Sequence, residues 1–203
     1  MMSLEDIRVY LPKFLSPEAE RELFEGLRQF PEDLPARFYL SRMSEEPIVL
    51  QGDGLRGLQV INLPDPKVGE ARVIVLSNTC DVDLANPRPF FPAHLCYCPI
   101  FDLAKYQRAL VESGKFVDQQ IASHLEEVRR QRITQVFHLP PAPGIINESL
   151  VFLDRINSCA NTALAREALR EKRIFTLGTF ASWLFLLKLS IHFTRFTDKV
   201  NRT

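Results

Sequence analysis

The segment Arg72–Ser77 (RVIVLS) most narrows what this chain can fold into. Its uninterrupted Val-Ile-Val-Leu run has no polar face, so it reads as a strand covered on both sides inside a sheet. Shorter strand candidates precede it: Arg37–Leu40, Ile48–Leu50 closed by Gly52-Asp53-Gly54, and Leu58–Leu63 stopped by Pro64-Asp65-Pro66. Beyond the turn Asn86-Pro87-Arg88-Pro89, His94–Ile100 reads as its neighbour. Ile133–Leu139 and Ser149–Ile156, separated by the loop Pro140–Gly144, add two more. Strands and helices do not alternate as βαβ units, which excludes a doubly wound sheet. Short strands with tight turns favour a small curved barrel within an α+β fold.

Helical segments frame these strands. Ser16 can cap a helix, Pro17 suits its first position, and Leu23, Phe24 and Leu27 give it an apolar stripe. The span Phe101–Arg132 reads as a helical pair with stripes Leu103/Tyr106/Leu110 and Ile121/Leu125/Val128, divided at Gly114. From Asn161 onward the chain reads as helical again, ending in the apolar stretch Ile174–Phe193. That stretch approaches the ~20 residues of a spanning helix. Lys188, His192 and four hydroxyl residues interrupt it, so a buried or partner-binding helix is expected and no membrane contact. The implied organisation is an N-terminal helical extension (1–36), a barrel (37–158) with a helical insertion at 102–132, and C-terminal helices (159–203).

Charge and cysteine usage bound the function. The 25 basic and 25 acidic residues cancel, so nothing global attracts nucleic acid. Met1–Arg8 lacks the apolar core of a signal peptide, and Cys80, Cys96, Cys98 and Cys159 are scattered. A cytoplasmic protein with free thiols is expected.

The densest local chemistry is Ser77-Asn78-Thr79-Cys80-Asp81, delivered at the end of the strongest strand. It reads either as a nucleophile, anion or hydrogen-bonding site, or as a turn in which Asn78 and Asp81 bond local backbone. His94, Cys96 and Cys98 would share a strand face near Cys80, but Cys-X-Cys is not a chelating loop and cysteine is a common small core residue. No metal and no cofactor is expected. A Cys80–His94 thiol–base pair is opposed by Asp81, whose charge raises a neighbouring thiol's pKa. Arg129, Arg130 and Arg132, and the run Arg166, Arg170, Lys172 and Arg173, read as phosphate ligands or as solvated, acid-paired helix faces. The chain has no Gly-rich phosphate loop and no paired-His metalloprotease motif.

Three stretches carry a resemblance. Gly69-Glu70-Ala71-Arg72-Val73-Ile74-Val75-Leu76-Ser77 resembles the Gly-X-Arg-Pro-X-Val-Val-Leu-Ser stretch of MazF/PemK-type toxins. His94–Ile100 with Phe101-Asp102 is similar to their next strand, which ends Val-Pro-Ile/Val-Thr-Ser. Val136–Leu139, the Pro/Gly loop and Glu148–Ile156 resemble their closing hairpin, which ends Leu-Asp-Gln-Ile/Val-Arg. The resemblance covers about Leu50–Asn157 plus the last helix.

It implies an SH3-like barrel that dimerises and cleaves single-stranded RNA without metal, using an arginine and a Ser/Thr near its cleft. Aligned on Val-Leu-Ser, Ala71 takes the arginine position, Arg72 the proline position, and Phe101 or Asp102 the Ser/Thr position. A one-residue shift on a strand reverses the face a side chain occupies. The chain is similar to a divergent branch with a long helical insertion, found in bacterial defence, one member of which resembles an anti-sigma protein cut by a CRISPR-associated protease. The implied role is a protein-binding regulator with a degenerate site. An antitoxin, sigma factor or protease would be held by Ala104–Arg132 or the terminal helix. The alternative is an RNA-binding endoribonuclease worked by Arg72, Ser77, Thr79 and Asp81, with Asn78, Cys80 and Asp102 as binding residues. A third reading is a small-ligand sensor at Ser77–Asp81.

Overall fold

A computed structural model of the chain describes residues 21, 38–40, 47–86, 88–164 and 166–194. The expected helix beginning at Ser16 and the 1–36 extension lie outside the described residues, Arg21 apart.

The chain first forms an antiparallel hairpin of β1 (Gly54–Asn62) and β2 (Lys67–Val75). Leu55 pairs with Val73 but Leu58 with Ala71, so β1 carries one extra residue. Gly57 takes it up at φ 72°, a bulge that bends the strand. Gly54 opens β1 because nothing larger fits: a Cβ there would lie 2.3 Å from the Phe175 ring. A one-turn helix, α1 (Thr79–Val82), then leads to β3 (His94–Asp102).

β3 is the hub of the sheet. Tyr97 pairs with Val75 on one edge and with Asn157 on the other. The first contact joins β3 to β2. The second joins it to β6 (Asn157–Ala160), and further along that edge Ile100, Phe101 and Asp102 pair with β5 (Ser149–Phe152). The strand-rich stretches on either side of the helical insertion therefore share one sheet. With β4 (Val136–Leu139) and β7 (Arg173–Phe175) the order is β4-β5-β3-β2-β1-β7, and all pairs are antiparallel.

The sheet curls into a half-barrel. No pairing between its edge strands β4 and β7 occurs among the described residues. Both edges nevertheless pack on one core. Phe137 of β4 stacks on Phe38 at 5.8 Å between ring centroids and meets Phe185 at a tilt at 4.9 Å. Tyr39 bridges the gap, donating from its hydroxyl to the Pro140 carbonyl at 2.8 Å.

Five helices complete the described residues. In the insertion, the Asp102 carboxylate accepts from the Lys105 amide at 3.0 Å and caps α2 (Leu103–Glu112). α3 (Asp118–Arg129) buries Ile121, Leu125 and Val128 at the expected spacing. α4 (Arg166–Lys172) precedes β7, and α5 (Thr179–Thr194) turns Phe180, Leu184, Phe185 and Lys188 into the protein. Among the described residues no helix is long and apolar enough to cross a membrane.

The structure corrects several sequence-based boundaries. Ile48–Leu50 is irregular, and the described part of Arg37–Leu40 forms only the bridge Tyr39–Leu177. The strand expected over Ser149–Ile156 stops at Phe152, turns, and resumes as β6. Arg173–Phe175 is a strand, not the start of the last helix. Three residues are too few to show a period of two, and the pairing partner that holds them lies over a hundred residues away.

Candidate functional site

At the end of β2 the Leu76 and Ser77 amides both donate to the Cys96 carbonyl, at 2.9 and 3.3 Å. The Ser77 hydroxyl accepts from the Cys96 amide at 2.7 Å. Asn78 accepts from the Cys80 amide at 2.9 Å and caps α1, and the Thr79 hydroxyl accepts from the Gln51 amide at 3.1 Å. Asp81 pairs with Arg88. Asn78 thus makes the local bond expected of a turn, Asp81 pairs with a side chain instead of backbone, and Ser77 and Thr79 tie the segment to β3 and to Gln51. Cys80 remains exposed. Ser77, Asn78, Asp81, Arg88 and His94 line a shallow cavity of about 260 Å³.

Arg72 does not line that cavity. It lies five residues back along the strand, ~16 Å away at the rise of extended chain. The four residues named for RNA cleavage therefore do not converge on one pocket. Among the described residues no three His, Cys, Asp or Glu side chains gather as a metal site. Burial pushes the Cys98 thiol up to about 12 and raises Cys159, so neither is poised as a thiolate.

The larger site lies elsewhere. β2 and β3 pair only from Val73–Pro99 to Val75–Tyr97 and then diverge. The divergence opens a groove of about 580 Å³ between the outer half of the β1–β2 hairpin and the corner joining β5 to β6. The hairpin is tied across β3: the Tyr97 hydroxyl donates to the Gln59 carbonyl at 2.6 Å, and Asn157 accepts from the Ile61 amide at 2.8 Å. Gly69–Ala71 form one wall and Pro99–Phe101 the other. Ala71 and Phe101, two of the positions singled out by alignment in the sequence, both line it.

Arg155 enters this groove, and sequence reasoning missed it. Its guanidinium lies 4.4 Å from the centroid of the Phe152 ring and 5.1 Å from that of Phe101. The two rings meet edge to face at 5.5 Å. Stacked this way, the cation is held in place while its N–H donors stay available. The signal was present: Arg155 replaces the glutamine of the Leu-Asp-Gln pattern. A cation therefore stands in the groove although Ala71 takes the aligned arginine position. Lys67 and Arg155 are matched by Glu70 and Asp154, and no lining residue carries a hydroxyl. Asp102 is not among them, being spent on the α2 cap.

A second polar cluster joins the insertion to the sheet. Arg129 grips Glu148 through Nε at 2.8 Å and a terminal nitrogen at 3.1 Å. Its hydrogen bonds hold the Glu148 carboxyl below the ordinary range. His138 donates from Nε2 to Glu148 at 3.0 Å. Burial lowers the His138 pKa, and its Nδ1 is enclosed without a partner. His138 is buried while Arg129 and Glu148 are partly exposed, none of the three lines either cavity, and together they clamp the insertion to the sheet.

Neither the protein-family models nor the curated proteins compared with this chain match it.

Proposed function

We propose that this chain is a MazF-like barrel acting as a protein-binding regulatory module, with a degenerate catalytic site, in toxin–antitoxin or phage-defence signalling. The observation that carries this reading is the groove between β2 and β3. Ala71 and Phe101, two of the positions singled out by alignment, line it, yet none of its lining residues bears a hydroxyl, and Arg72 lies outside it. Metal-free phosphodiester cleavage needs a cation on the developing charge and a positioned acid or base next to the reacting hydroxyl. The groove also offers a polyanion no surplus of positive charge. A partner such as an antitoxin, sigma factor or protease fits a surface of this kind, with the helical insertion or α5 extending the contact.

One observation favours the second reading, a metal-independent endoribonuclease. Arg155 supplies a positioned cation in the groove, with Glu70 and Asp154 alongside as acid–base groups. The two readings separate in one assay. Purified chain is incubated with single-stranded RNA of mixed sequence in EDTA. The regulatory reading expects intact RNA. Cleavage that disappears in Arg155→Ala or Arg72→Ala would establish the nuclease instead, and the sensitive arginine would locate its site.

A further inference from the structure

The groove is walled by strand edges as well as side chains. β2 gives one edge to β1 over Lys67–Ile74, but its other edge meets β3 only at Val73–Val75. Among the described residues, the inner edge of β2 from Val68 to Arg72 has no strand beside it. The same holds for β3 over Ile100–Asp102, where it pairs with β5 on its far edge and, among the described residues, with no strand on the edge facing β2. Two bare edges thus face each other across the opening. An unpaired strand edge presents alternating amide and carbonyl groups that another strand satisfies.

We infer that the groove takes a short extended peptide, which adds to β2 as a new strand and carries a carboxylate to Arg155. This rests on the protein-binding reading and specifies its partner. The backbone asks for a peptide, because a nucleic acid strand has no matching row of amides and carbonyls. Gly69 and Ala71 keep the β2 wall low enough for close backbone approach. The rim is apolar and open, with Leu63 74% exposed and Val68 58% exposed, which suits alternate apolar side chains on the incoming strand. Charge decides against RNA: Lys67 and Arg155 are balanced by Glu70 and Asp154. Arg155, stacked on Phe101 and Phe152, is already oriented as a carboxylate ligand.

The probe is a set of acetylated, amidated hexapeptides with alternating valine and threonine and one glutamate moved through each position. Amide exchange is followed by NMR on the full chain. A bound peptide should slow exchange of the outward-facing amides in Val68–Arg72. N-methylation of alternate peptide amides should weaken binding by about tenfold or more in one of the two N-methyl registers only. Arg155→Ala should weaken the best glutamate peptide by about tenfold and leave its glutamine counterpart unchanged. The inference is overturned if no hexapeptide binds, if binding leaves exchange at Val68–Arg72 unaltered, or if single-stranded RNA protects these amides and the peptides do not. Absence of peptide binding in a chain that still binds a protein through its insertion removes this inference alone. RNA cleavage removes the regulatory reading as well.

Discussion

Asp53 and Arg173 show how one residue pair can organise three strands. Both side chains are buried, and the Arg173 Nε donates to the Asp53 carboxylate at 3.0 Å. The same carboxylate accepts from the Leu50 amide at 2.9 Å and the Thr176 hydroxyl at 2.7 Å. The Asp53 carbonyl takes the Val75 amide at 2.9 Å, and Arg173 also reaches the Ile48 carbonyl. Burial pushes the Asp53 carboxyl up, while Arg173 and these donors pull it back toward the charged form. Removing one member of such a pair leaves the other charge buried and unanswered, which costs about 3–5 kcal/mol. Arg173→Leu should therefore lower the unfolding free energy by about that amount, read from the urea midpoint at constant slope. A loss below 1 kcal/mol would mean that the pair is not holding β1, β2 and β7 together. The sequence displays none of this. Gly52-Asp53-Gly54 has the composition of a turn, and Arg173 ends a basic run that reads as surface charge. Their partnership spans 120 residues, and periodicity is blind at that distance.

At the scale of elements, helix stripes and the edge strand β4 were legible, and the other edge strand, β7, was not. Ile121, Leu125 and Val128 pack as their spacing requires, because an amphipathic face is a local property. β4 pairs with the next strand, β5, whereas β7 depends on the remote β1, and the half-barrel's edges are set by what covers them. Gln131, at φ 57°, blocks β4 by mimicking a strand: its side-chain amide donates to the His138 carbonyl at 2.7 Å and accepts from the His138 amide at 3.1 Å. Lys188 of α5 locks that segment, donating to the Gln131 and Ile133 carbonyls at 2.8 and 2.7 Å and to the Gln131 side chain at 3.3 Å. The three acceptors suit an ammonium, but loss of water outweighs them and brings the Lys188 pKa down from 10.5 to about 7. Between those values the unfolded chain holds a proton that the folded chain has released. Stability should therefore rise with pH across that window. Cys98 and Tyr97 oppose this above pH 9, since burial raises both to about 12. The measurement belongs between pH 7 and 8.5. There the slope of unfolding free energy against pH should be less positive in Lys188→Met, by up to about 1.4 kcal/mol per unit. Equal slopes in the two proteins would show that Lys188 does not titrate in the folded state.

For the whole molecule the question is whether the insertion is an appendage or part of the barrel. Its helices have a core of their own, built on Leu103, Ile121, Leu125 and Val128. That core is finished by Val136 of β4 and Leu150 of β5, which belong to the sheet. The Arg129–Glu148–His138 clamp and the Lys188 lock cross the same boundary. Unfolding the insertion alone would uncover the apolar side chains of two strands and leave Lys188 buried without acceptors. Unfolding the sheet alone would remove the floor of the helical core. Neither half has a stable intermediate to rest in, so the two should unfold together although 203 residues is long for one cooperative unit. The chain supplies its own two probes. Trp183, the single tryptophan, packs against the main core from α5, and far-ultraviolet circular dichroism is weighted toward the helices. Their urea transitions should superimpose in midpoint and slope. An earlier dichroism transition, with tryptophan emission still native, would make the insertion a separately folding unit and move the functional argument from the groove toward the helices.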